Sequence, residues 1–197
     1  MSDLGAFIVA GSGEADSYQR DLFEARVRAT VRYADPAAWI TATAVAGTLA
    51  GAAGLLAEWR HEIGMIAISD QGPGGTMSEV QVAAATGFSS PLHYAASGPW
   101  TLVGVSCIAF GLRGPTINLT MDPRDGLPVA LALCAGWLKR KAAQLMVVAA
   151  CRAGTSGAIK SRAMLLAPSG LLESGAPLTE LELAWLAAGD PADGASA

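Results

Sequence analysis

Few residues in this 197-residue chain could do chemistry, and their spacing does not gather them into a set. Cys107, Cys134 and Cys151 are far apart and lie in apolar runs, with no CxxC or Cys/His ligand spacing. Neither a zinc site nor a disulfide framework is therefore expected, and the thiols read as small buried hydrophobes in a reducing cytoplasm. His61, just before an apolar run, and His93, in a Ser-Pro loop, read as ordinary surface or loop residues. Ser69, Asp70 and Ser156 offer an acyl-transfer or hydrolytic alternative, but they form no recognisable nucleophile–base–acid set and no G-x-S-x-G elbow is present. Gly11-Ser12-Gly13 is a weak phosphate-loop signal, because no complete G-x-G-x-x-G follows it. No metal and no cofactor is expected.

The best-organised polar group sits at 122–125. Asp122 suits a helix N-cap, Pro123 the first helical position, and Asp125 places a second acid in the first turn. Lys139, Arg140 and Lys141 close the same helix and complement its negative end. Arg152, Lys160 and Arg162 read as solvated surface charge, with a contribution to docking an acidic partner as the sharper alternative.

Strands are expected at 4–10, 63–68, 116–121, 145–151 and 162–167. Helices are expected at 36–59, 76–86, 99–112, 126–142 and 178–188. The continuous apolar run at 63–68 suits a strand covered on both faces, and Gly111 and Gly114 close the helix before 116. The segment 14–35 reads as charged and irregular, with about one helical turn. Alternation of strands and helices implies an α/β layer structure with a largely buried sheet. Residues 1–188 form one domain on this reading, and 189–197 a disordered tail.

Composition narrows the function. Apolar residues make up 52% and charged residues 15% of the chain, against about 25% charged in an ordinary soluble domain. Mean hydropathy is +0.38. Such a chain either enters a membrane or buries a large surface against a partner. The membrane candidate, 40–59, is rich in Ala and Gly and broken by Thr41, Thr43 and Thr48, which suits a tightly packed internal helix better than lipid. No secretory pattern opens the sequence, so a cytoplasmic protein without membrane association is expected. A formal net charge of −4 argues against nucleic acid.

The run Leu112-Arg113-Gly114-Pro115, followed by a strand and a helix start, resembles the segment that delivers the nucleophilic cysteine in β-ketoacyl synthases. "FIVAGSG", "RYADPAAW…AGAAGLL", "IGMIAISDQGPGG", "FSSPLHYAASGPW", "AQLMVVAACRA" and "SRAMLLAPSGLLESGA" resemble other landmarks of the ketosynthase N-terminal half, in the same order, over residues 4–178. The resemblance implies a thiolase-like fold, N-terminal half only, with a single mixed sheet layered with helices. It aligns the family's cysteine with Pro123, flanked by Asp122 and Arg124. The half that carries the family's two active-site histidines has no counterpart, and neither His61 nor His93 matches them.

By that resemblance the chain is a catalytically inactive, chain-length-factor-type subunit of a type II polyketide or polyene system. Its partner would be an active ketosynthase, with an acyl carrier protein docking mainly on that partner. The interface strand would be Thr116, Ile117, Asn118, Leu119, Thr120 and Met121. Leu92, His93, Tyr94 and Trp100 are the candidates for the acyl-tunnel wall. The alternatives are the independent enzyme above and a purely structural scaffold.

Overall fold

The computed structural model describes residues 7–88, 90–154, 157–172 and 176–188. Six strands form one mixed sheet: β1 (Phe7–Ala15), β2 (Ile63–Ile68), β3 (Thr116–Leu119), β4 (Leu145–Ala153), β5 (Ile159–Pro168) and β6 (Ala176–Pro177). Among the described residues eight α-helices surround it: α1 (Ala25–Thr30), α2 (Pro36–Ala50), α3 (Ala53–Trp59), α4 (Gly74–Ala85), α5 (Pro91–Ala96), α6 (Thr101–Phe110), α7 (Pro123–Lys139) and α8 (Glu180–Ala187). The spatial order is β3-β2-β4-β5-β1-β6. β2 runs parallel to both β3 and β4, whereas β5 is antiparallel to β4 and β1.

Side-chain alternation along the strands feeds two cores. Met65, Ala67, Val147, Ala149 and Leu165 face α2 and α6. Ile66, Ile68, Met146, Val148 and Leu166 face α7 and α8. Every residue of β2 is buried, as its unbroken apolar run implies.

α2 lies against β1 because β1 has no side chain where they cross. A Cβ on Gly13 would collide with Ala44 O and lie 2.6 Å from Thr48 N. The glycines taken as the end of a strand are therefore part of a longer one, and the phosphate-loop reading of Gly11-Ser12-Gly13 is corrected. Thr48 Oγ1 donates to Ala44 O at 3.0 Å and Ala163 O at 3.1 Å, tying α2 to the sheet.

The expected helix at 36–59 is two helices, α2 and α3, bent by 100°. Gly51 and Ala52 end the first, and α2 is buried along most of its length. Among the described residues no single helix is long and apolar enough to cross a membrane. Asp35 explains how α2 and α4 start together: its buried carboxylate accepts Ala37 N–H and Thr76 N–H, each at 2.8 Å. One side chain thus caps two helices.

Other boundaries move as well. The segment read as irregular contains the end of β1 and the short helix α1. α7 begins at Pro123 rather than 126, and α8 at Glu180, where Thr179 and Glu182 form a capping box. His93 lies on α5, not in a loop. The tail 189–197, residue 156 and the first residues of the expected strand 4–10 lie outside the described residues.

Candidate functional site

The turn from β3 into α7 is built as the helix-start signals imply. Asp122 Oδ1 accepts Arg124 N–H at 2.8 Å, and Pro123, buried, begins the helix. Asp122 Oδ2 has a second partner, Arg152 Nη2 at 2.8 Å, from the end of β4. Arg152 Nη1 continues to Ala187 O at 2.9 Å, in the last turn of α8.

A second arginine repeats the arrangement one strand over. Arg162, buried on β5, donates through Nη1 to Trp185 O at 2.6 Å and Ala188 O at 3.0 Å. Its Nε lies 2.6 Å from Glu14 Oε2, and its guanidinium stacks 5.2 Å from the centre of the Trp185 ring. Lys160 Nζ reaches Glu14 Oε1 at 2.9 Å. Hydrogen bonding from Lys160, and then from Arg162, holds the Glu14 carboxyl below its ordinary range, against an opposing push from burial. The three cations are thus engaged within the chain, where the arginines neutralise a helix C-terminus. This corrects their reading as solvated surface charge.

The first turn of α7 carries no thiol or hydroxyl: it reads Pro123-Arg124-Asp125-Gly126. The thiols elsewhere are pushed up by burial, to about 11 for Cys107, about 12 for Cys134 and about 11 for Cys151, so they stay protonated near neutrality. Ser69 Oγ is occupied by Gly72 N–H at 3.0 Å, in the turn before α4, and Asp70 beside it is exposed. Among the described residues no cluster could hold a metal ion.

β3 is an edge strand. Met65 N–H donates to Pro115 O and Ser69 N–H to Leu119 O, each at 3.0 Å. The alternation of a parallel ladder then leaves the backbone groups of Thr116 and Asn118 facing outward. Thr116 is exposed and Ile117 half-buried, whereas Leu119 is buried against α7. Both polar atoms of the Asn118 amide are buried and make no hydrogen bond among the described residues. Thr120 and Met121 lie past the strand, and Met121 packs against the α7 core.

Of the four expected tunnel-wall residues, two come together. Leu92 and Trp100 line an apolar cavity of about 260 Å³ between α5, α6 and the turn after α1. His93 lines an adjoining, more polar cavity of about 290 Å³, and its ring meets Tyr33 edge-on at 4.7 Å. Tyr94 is 66% exposed and lines neither. Tyr33 lines both cavities and was not singled out by sequence, since it falls in the segment read as irregular. Met77, Val82, Phe88, Leu92, Tyr94 and Trp100 are large apolar side chains left exposed on or beside α4 and α5, a surface of the kind that partners cover.

These features define a class by fold: a single mixed sheet, β3-β2-β4-β5-β1-β6, with helices layered on both faces. No protein-family model and no curated protein matches the chain. Solved structures do. The ishigamide ketosynthase/chain length factor matches with a TM-score of 0.66 at 13% identity, over 86% of this chain and 64% of that one. A type II polyketide acyl-carrier protein in complex with its ketosynthase (AntDE:AntF) matches with a TM-score of 0.62 at 13% identity, over 83% of this chain and 63% of that one. The ketosynthase ApeO in complex with its chain length factor ApeC, from Xenorhabdus doucetiae, matches with a TM-score of 0.56 at 14% identity, over 82% and 74%. The chain therefore has the ketosynthase/chain-length-factor fold, and spans less than two thirds of the first of these relatives.

Proposed function

We propose that this chain is a non-catalytic, chain-length-factor-type subunit that pairs with an active ketosynthase and walls part of its acyl tunnel. The observation that carries the reading is the β3–α7 turn. Where the resemblance calls for a cysteine, Pro123 is buried, with no thiol and no backbone N–H to offer an oxyanion. Its neighbour Asp122 is committed to a cap and an ion pair. Directly before that turn, the open edge of β3 supports strand pairing with the partner, since an uncovered edge with apolar neighbours invites association. Apolar surplus elsewhere on the surface suits an obligate interface. An acyl carrier protein would deliver its cargo to the ketosynthase, and both would work in the cytoplasm.

The cavity formed by Leu92 and Trp100 is the segment of wall that would touch an apolar acyl chain. The test is product length from the reconstituted pair. Trp100→Ala and Leu92→Ala should lengthen the product at unchanged complex stability, while Tyr94→Ala should leave it as it was. Unaltered length in all three variants, with the complex intact, would favour a purely structural scaffold.

A further inference from the structure

The outward face of α7 has the composition of a buried surface. From Gly126 to Leu138 the helix carries no charged side chain. Leu127, Ala130, Leu131 and Cys134 fill its sheet-facing side. Pro128, Val129, Ala132 and Ala135 are exposed on the other, with α8 already in place. A surface helix ordinarily turns a polar face to water, and one apolar all round is covered on both sides.

The order of these residues is self-complementary. At about 100° per residue, the exposed positions between Asp125 and Lys139 fall within about 60° of a line through Ala132. The series is complementary on reversal about Ala132: Asp125, Pro128-Val129, Ala132, Ala135-Gly136, Lys139, so that acid meets base and the larger pair meets the smaller. Neither Asp125 nor Lys139 makes an ion pair among the described residues.

We propose that α7 packs antiparallel against α7 of a second copy of this chain, across a two-fold axis at Ala132. The axis sets Asp125 of each copy opposite Lys139 of the other, and Val129 opposite Ala135. With alanine on the axis the helices pack about 10 Å apart, which leaves about 5 Å between the two Ala132 Cα atoms. Two identical charge pairs then flank an apolar seam, as an isologous interface requires. A parallel pairing would oppose acid to acid and base to base. This surface is a layer face rather than the β3 edge, so the inference goes beyond the pairing with a ketosynthase and does not rest on it.

The test is disulfide trapping in the full chain, expressed with or without a ketosynthase, in a Cys107→Ser background. A residue on a two-fold axis meets its own copy, so Ala132→Cys should cross-link in high yield under mild oxidation. Ala84→Cys, exposed on α4, should not. Asp125→Lys in the Ala132→Cys chain should cut the yield several-fold, and adding Lys139→Glu should restore it. That double swap worsens both ends of α7 for its own dipole, so recovery would report the contact and not the fold. Sedimentation of the unmodified chain, alone or in its complex, should show two copies per particle. A single copy per particle, equal cross-linking at Ala84→Cys, or failure of the second swap to restore the yield would overturn the proposal.

Discussion

Arg152 Nη2 lies 2.8 Å from Asp122 Oδ2, joining the end of β4 to the N-cap of α7. The same guanidinium holds Ala187 O, so one side chain fastens α8 to the turn that begins α7. Both side chains are partly shielded from water, which makes the pair worth more than an exposed one.

Replacing Asp122 therefore removes two things, and two variants separate them. Asp122→Ala loses the cap and the ion pair and should cost about 2–3 kcal/mol in urea unfolding. Asp122→Asn keeps a capping oxygen and should cost about 1 kcal/mol less. Equal losses would mean that the cap contributes nothing.

Glu14 sets an acid limit on the same corner of the fold. Its carboxyl is held below 4.5 in the folded chain, by Lys160 first and Arg162 after it. A depressed folded value means that the stabilisation is fully present above the unfolded value and disappears as pH falls through the folded one. Stability should thus decline below about pH 4.5, and Glu14→Gln should flatten that part of the profile. A slope unchanged by the substitution would place the acid sensitivity elsewhere.

Gly13→Ala probes the crossing of β1 and α2. The added methyl group would meet the backbone of α2 at Ala44 and Thr48, where no flexible side chain can yield. A loss of about 3 kcal/mol or more is expected, in the range of core overpacking, with the protein recovered mainly as aggregate. Gly54→Ala, where a Cβ would touch nothing within 4 Å, is the matched control and should be neutral or slightly stabilising.

The three thiols should behave as packing groups. At pH 8 the native chain should resist iodoacetamide, with Cys107 the first to react because it is only partly buried. Denaturant should expose all three. Rapid native alkylation of Cys134, whose thiol is raised to about 12, would contradict the burial described for α7.

Periodicity revealed the layers but not their crossings. The apolar run of β2 and the Asp122-Pro123 helix start were readable because each is a local signal. The break at Gly51 and the extension of β1 through Gly11 and Gly13 were not, since both depend on the close approach of α2 to the sheet. Asp35 looked like a cap for one helix; only the fold brings Thr76 to its second oxygen. Arg152 and Arg162 looked like surface charge because their partners are backbone carbonyls of α8, which no sequence spacing marks. Around the cavity between α5 and α6, Leu92 and Trp100 belong to a Ser-Pro stretch visible in the sequence, whereas Tyr33 joins them only through the packing of the turn after α1.

Recruitment of a ketosynthase by the β3 edge, as proposed, is tested most directly by co-expression with the ketosynthase encoded nearest to this chain. Affinity purification and native mass determination should yield a stable complex with both chains in equal number. Asn118→Pro, which removes a donor facing outward from β3 while sparing the bonds to β2, should abolish co-purification and leave the chain folded. A folded chain that purifies without any ketosynthase, or a complex indifferent to Asn118→Pro, would contradict the account.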